Sequence, residues 1–176
     1  MKTLKSMLAV FAVAMFMLPA KAANNMQAEA NIVETAQSIG KFQTLLTAAQ
    51  AAGLVDTLTS EGPFTVFAPN DRAFEQVPGA VINALLEDEE LLRHVLLYHV
   101  VPGAAVYSYD LSNNMDVEMA SESEAMIKLG PNGAAKINDA VILLTDVEAS
   151  NGVIHVINKP ILDEYAIQQL QAKGVL

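Results

Sequence analysis

Three histidines, 20 acidic residues and no cysteine set the chemistry open to this chain. His94 and His99 are five residues apart, about 500° around a helix, so they do not share a face as an i, i+4 metal pair does. His155 is distant, and no His-Glu-x-x-His pattern occurs, so a zinc site requires all three imidazoles to converge in space. The bland alternative for His99 and His155 is a buried imidazole that holds a loop by hydrogen bonding to the backbone. Without cysteine there are no disulfides, thiolate metal sites or Cys nucleophiles. No Gly-x-Ser-x-Gly elbow presents a serine, and no glycine-rich phosphate cradle or dinucleotide fingerprint is present. A glycosidase carboxylate pair is a matter of geometry that a sequence does not supply. Asp71 reads as a helix-start residue before it reads as a general acid. The run Glu87-Asp88-Glu89-Glu90 is either a metal-binding cluster or the start of a helix with a solvated face, and the helix dipole favours the second. No catalytic residue, metal ligand or cofactor is assigned.

Two features bear on contact: methionines that suit a hydrophobic ligand, and a tyrosine pair of the kind that suits protein, carbohydrate or pigment contacts. Met115, Met119 and Met126 fall in the second half of the chain, and methionine adapts well to apolar binding surfaces, although core filling explains it as readily. Tyr107 and Tyr109 are two apart and share one face of a strand, as an exposed contact pair or a cross-strand packing pair.

At the N-terminus, Lys2 and Lys5 precede twelve apolar residues, Met7 to Leu18, followed by Pro19 and by Ala20-Lys21-Ala22. This is the anatomy of a secretory signal peptide, residues 1–22, cleaved after Ala22. The apolar run is short of the ~20 residues a membrane span needs, so no transmembrane anchor is expected after cleavage, and the protein is expected to be secreted or periplasmic. Residues 23–176 keep 20 acidic and 7 basic side chains, a formal charge of −13. So acidic a chain repels polyanions, and nucleic acid is disfavoured as a partner.

Residues 23–30 read as a short tether, and the elements that must position any site follow. Asn31 with Glu34 forms a capping box before Ile32, Val33, Ala36 and Ile39 at helical spacing. A second helix fits 42–52, and Leu54, Val55 and Leu58 make a further turn. Pro63 to Pro69 switches to a buried strand, Asn70 caps a helix through Ala73 and Phe74, and helices over 81–86 and 91–98 follow. Pro102-Gly103 ends the helical half in a turn. Strands are expected at 106–109, 117–120, 125–129, 134–137, 141–147 and 153–157, with Asn151-Gly152 as a type I′ hairpin turn. Residues 163–176 form a C-terminal extension with helical spacing over 164–173. Helices first and strands afterwards argue an α+β fold in one domain.

Three segments, in order, resemble the fasciclin-like domain family over about Asn31 to Leu162. They are Phe64-Thr65-Val66-Phe67-Ala68-Pro69-Asn70-Asp71-Arg72-Ala73-Phe74, Leu97-Tyr98-His99-Val100-Val101-Pro102-Gly103, and Asn151-Gly152-Val153-Ile154-His155-Val156-Ile157-Asn158-Lys159-Pro160-Ile161-Leu162. The resemblance implies an α+β wedge of two β-sheets with flanking helices from the N-terminal half, and the first and third segments side by side in a sheet. It further implies an exported, non-catalytic module of cell adhesion or matrix and envelope contact, whose partner is a protein or cell-surface component. Some relatives bind lipophilic molecules, which makes a carrier of a small hydrophobic ligand the alternative function and an envelope enzyme the third. In animal relatives an Asp-Ile pair after the third segment is linked to integrin recognition; here Pro160 stands where that acid would be, and Asp163 is out of register.

Overall fold

The computed structural model describes residues 30–176. The signal peptide and residues 23–29 of the tether lie outside the described residues.

Among the described residues seven α-helices and seven strands make an α+β fold. The helical half opens with α1 (Ile32–Ile39), α2 (Gln43–Ala51) and α3 (Val55–Thr59). After strand β1 (Phe64–Pro69) come α4 (Asp71–Glu75), α5 (Gly79–Leu86) and α6 (Glu89–Leu97). The capping box forms as the sequence implies, with Asn31 accepting from the Glu34 amide and Glu34 accepting from the Asn31 amide, both at 3.0 Å. The acidic run starts α6: Asp88 is its N-cap, accepting from the Leu91 amide at 3.0 Å, and is also paired with Lys173 at 3.0 Å.

The strand half contains β2 (Val100–Pro102), β3 (Met115–Glu118), β4 (Glu124–Leu129), β5 (Ala135–Ile137), β6 (Ala140–Ala149) and β7 (Gly152–Ile157). They join β1 in one ladder, ordered β2-β1-β7-β6-β5-β4-β3. The two sheets of the expected wedge therefore share β6. Its first residues pair with β5 and its length pairs with β7, with register shifts between Ile142 and Val147, where Asp146 takes φ 59°.

The first and third motifs lie side by side as the family likeness implied. Strands β1 and β7 pair in parallel from Phe64 opposite Gly152 to Pro69 opposite Ile157. Their side chains divide between two cores. Phe67 and Ile157 join Val101, Val117, Ile127 and Ile137 on one side. Val66, Ala68, Ile154 and Val156 join Ile32, Ala36 and Phe42 on the other. Residues 163–176 hold α7 (Glu164–Ala172), whose Ala166 and Leu170 are buried among Val81, Ala84, Leu91 and Val95.

Three local expectations are corrected. Val106 to Tyr109 is not a strand: Tyr107 is extended and the chain then makes a 3-10 turn at Ser108–Asp110. The reason is that side chains take the backbone bonds a ladder would have used, because Thr65 and His155 hold Val106 and Asp110 holds the Tyr107 amide. Val100 to Pro102, between the expected helix over 91–98 and the expected Pro102-Gly103 turn, forms an edge strand where none was expected, since two β-branched residues pair antiparallel with β1. Asn151-Gly152 is not a type I′ turn: Ala149 pairs with Gly152, leaving Ser150-Asn151 as the loop, and neither Asn151 nor Gly152 has positive φ. The glycine serves a close approach. A Cβ on Gly152 would stand 2.0 Å from the Phe64 carbonyl oxygen, and one on Gly62 2.0 Å from that of Asn151.

Candidate functional site: a buried polar frame and an apolar cleft

The chemistry-bearing residues of the three motifs do not gather around one point. Helix α6 delivers Tyr98 and His99 at its C-terminal end, and both are buried. Ile161 donates its amide to His99 Nε2 at 3.0 Å, which places the ring proton on Nδ1, where it is donated to the Val95 carbonyl at 2.7 Å. Both nitrogens are thus engaged by backbone. Burial pushes the His99 pKa down to about 4 against the opposing pull of the Val95 carbonyl, so the ring is neutral near pH 7. The Tyr98 hydroxyl donates to the Glu124 carbonyl at 2.9 Å and accepts from Asn138 at 2.9 Å, tying α6 to β4 and the β5–β6 turn.

His155, in the middle of β7, has the opposite tautomer. The Asp146 amide points at its Nδ1 at 3.4 Å, and its Nε2–H is donated to the Val106 carbonyl at 2.7 Å. Phe67 stacks on the ring with centroids 5.4 Å apart. Burial again depresses the imidazole, against the pull of the Val106 carbonyl and the Asp146 charge. On β1, Thr65 donates its hydroxyl to the Ala104 carbonyl and accepts from the Val106 amide, both at 2.8 Å. Thr65 and His155 together therefore fix residues 104–106 where they cross the β1–β7 pair.

The other motif residues brace helices. Asn70 caps α4, accepting from Ala73 at 2.9 Å. Asp71, expected to serve its own helix, also caps α2: its carboxylate accepts from the Gln43 amide at 3.3 Å and the Thr44 amide at 2.9 Å. Burial works to raise the Asp71 carboxyl, but the hydrogen bonds from Thr44 and Gln43 outweigh it and hold the carboxyl below its usual value. Asn151 uses its whole amide, accepting from the Ile32 amide at 2.9 Å and donating to the Leu58 and Ser60 carbonyls at 2.8 and 2.9 Å. Pro69 is buried at the end of β1, and Phe64 is half-buried in the helix-side core. Pro102 and Gly103 form the exposed turn after β2, with Gly103 at φ 75°. Phe74 is half-buried on the wall of a cleft.

A cluster built around Asp163 was not legible as a site in the sequence. Asp163 caps α7, accepting from Ala166 at 2.9 Å, and its Oδ2 also meets His94 Nε2 at 2.7 Å and the Ser123 hydroxyl at 2.8 Å. Burial works to raise this carboxyl, but the Ala166 amide, His94 and Ser123 hold it below its usual value. Serine and imidazole here both address the acid instead of each other, so the nucleophile–base–acid order of a hydrolytic triad is absent. The sequence signal was Asp163-Glu164 ahead of a helical pattern. An acid so engaged is also no free recognition residue.

Among the described residues no group of three or more His, Asp or Glu side chains is arranged to hold a metal ion, and His94, His99 and His155 each have their own partners. The methionines do not line one surface: Met119 is core, Met115 packs against the core from a half-buried position, and Met126 is exposed. The apolar opening lies on the helical side instead. A cleft of about 390 Å³ runs between α2, α4, α5 and α6, walled by Leu45, Phe74, Ile82, Leu85, Val95 and Leu162. A smaller apolar cavity of about 100 Å³ lies under α1, α2 and α3 against β1 and β2. No described helix is long and apolar enough to cross a membrane.

Comparison with known proteins places these features. Residues 40–163 match the Fasciclin domain family model. Two Synechocystis proteins, sll1483 and sll1735, are 44% and 42% identical, covering 74% and 75% of this chain and 72% and 97% of their own. The cell surface glycolipoprotein MPB83 of Mycobacterium bovis is 31% identical over 72% of this chain and 58% of its own. The solved domain pair of the insect cell adhesion molecule fasciclin I superimposes with a TM-score of 0.66 at 20% identity, over 80% of this chain and 53% of that one. The motif segments, the topology and the family match agree: the chain belongs to the fasciclin domain family.

Proposed function

We propose that the protein is an exported, non-catalytic interaction module, with residues 1–22 as its signal peptide and residues 31–162 as its fasciclin-like domain. It makes contacts with proteins or surface components of the envelope or the matrix outside it. The observation that carries this reading is the engagement of all four ring nitrogens of His99 and His155 with backbone groups. The most chemically versatile side chains of the motifs are committed to framework, and contact is left to the outer surface. The family's cell-surface and cell-adhesion members support the same reading. Export is tested by the mass of the protein purified from its host, which should correspond to a chain beginning at Ala23. Contact is tested by adhesion of the folded protein to envelope or matrix preparations. A robust turnover that disappears in a folded His99→Gln or Asp71→Asn variant would overturn the reading.

The apolar cleft supports a second reading, carriage of a small hydrophobic molecule. Its volume of about 390 Å³ is within the range of small-molecule sites. Mass spectrometry of natively purified protein should then find a bound lipid or pigment, and Ala48→Phe, on the cleft wall, should reduce its occupancy. Protein that is ligand-free in its native host would rule the carrier out.

A further inference from the structure

The pair Tyr107 and Tyr109 survives the loss of its expected strand. The rings stack with centroids 5.3 Å apart and planes 5° from parallel, and Tyr109 is 79% exposed. An exposed aromatic pair of this kind is normally disordered by water and rotamer entropy, so what holds it matters. Asp110 accepts from the Tyr107 amide at 3.1 Å, closing the 3-10 turn. Asp146 accepts from both the amide and the hydroxyl of Ser108, between the two tyrosines. The Asp146 amide in turn meets His155, and His155 holds Val106. A hydrogen-bonded circuit, Val106–His155–Asp146–Ser108, thus anchors the turn to the buried β7 strand. The bulge in β6 is what aims Asp146 into that circuit.

The surroundings are acidic. Asp110 and Asp146 flank the pair through their bonds to the Tyr107 and Ser108 amides, and Glu148 follows two residues after Asp146 on β6. Loss of hydration and then the neighbouring charges, Asp110 first, raise the Tyr109 hydroxyl above its usual value. Asp146 spends both oxygens on Ser108, whereas Asp110 and Glu148 are in no ion pair among the described residues. A flat π surface with carboxylates at its rim matches a planar cation, which stacks on the ring and donates to carboxylates at its edge.

We propose that the Tyr107–Tyr109 stack, rimmed by Asp110 and Glu148, is a docking platform for an arginine-bearing segment of a partner protein. This deepens the interaction-module reading and rests on it. His155 is then a positioning residue for the platform, and Tyr107 and Tyr109 are its contact surface.

Binding is read by isothermal titration calorimetry, which needs no reporter among the four tyrosines. The probe is a capped, unstructured peptide with two arginines, compared with its lysine and glutamine counterparts. The arginine peptide should bind best and the glutamine peptide least. A Tyr107→Ala/Tyr109→Ala variant with an unchanged thermal midpoint should bind about tenfold more weakly, and Glu148→Gln should weaken binding by a smaller factor. Glu89→Gln/Glu90→Gln, which removes two exposed charges from the first turn of α6, should leave it unchanged. Equal binding by the double tyrosine variant, equal binding of the glutamine peptide, or equal loss from the α6 variant would each overturn the platform. Adhesion of the whole protein separates the two claims. Wild-type and tyrosine-variant proteins that adhere equally sink the platform and leave the module. A wild type that binds the arginine peptide through its tyrosines but adheres to no envelope or matrix preparation sinks the module and leaves the platform.

Discussion

The two faces of the β1–β7 pair are built on different principles. On one face Thr65, Phe67 and His155 meet the crossing segment Ala104–Val106, and polar groups there are matched one to one with backbone donors and acceptors. On the other, Val66, Ala68, Ile154 and Val156 meet helices through apolar contacts alone, and the helical layer beyond them encloses both cavities. Hydrogen bonds are directional, so the first face dictates a unique path for the chain. Apolar packing fixes only volume and patterning, so the second tolerates gaps. The difference teaches what each face supplies: a braced surface turn grows from the polar face, and open volume lies on the apolar one.

The comparison breaks most completely at Val66. Val66→Asp places an unpaired carboxylate in the apolar face, at a cost of several kcal/mol against a total stability of about 5–15. The variant should be unfolded by circular dichroism, and a cooperative melt would refute the apolar character of that face.

Next comes the seam between the faces. Gly152→Ala puts a methyl against the Phe64 backbone, which cannot rotate away. The loss should reach or exceed the ~1–3 kcal/mol usual for overpacking, read as a lowered urea midpoint.

Acid sharpens the contrast through the two buried imidazoles. His99 is depressed from 6.5 to about 4 and His155 is depressed as well. Between those values the unfolded chain binds protons that the native chain refuses, so stability falls as pH drops from 6.5 toward 4 and this contribution levels off below. For His99 alone the loss is about 2 kcal/mol between pH 7 and 5. Urea midpoints at the two pH values measure it, and His99→Gln should flatten the slope. The depressed carboxylates, Asp71, Asp88, Asp146 and Asp163, act in a separate window: their stabilisation is lost only as pH falls below 3.8 and through their lower native values.

The smallest effect tests the helical layer. Asp71→Ala uncaps α2 without touching either face, and should cost about 1 kcal/mol. A change confined to the start of α4 in amide exchange, with α2 unaffected, would show that Asp71 serves only its own helix.

The strand β1, the caps at Asn31 and Asn70 and the apolar alternation of β1 and β7 were legible because each is written in neighbouring residues. What was misread shares one cause. Val106 lost its ladder to Thr65 and His155, which are 41 and 49 residues away. Asn151-Gly152 has the composition of a hairpin turn, yet the asparagine serves α1 and α3 while the glycine serves β1. Asp71 reads as a local helix-start residue and caps a helix 27 residues upstream.

The sequence by itself determined the family, the order of helices before strands, the buried strand faces and the acidic balance. Periodicity, capping and charge are properties of short stretches, so they need no partner to be read. Only the tertiary structure decided which imidazole nitrogen carries its proton, which helix Asp71 caps, where the cleft opens and that Tyr107 and Tyr109 stand as a braced pair. Each of those depends on a group from a distant part of the chain: Ile161 for His99, Thr44 for Asp71 and Asp146 for the tyrosine turn.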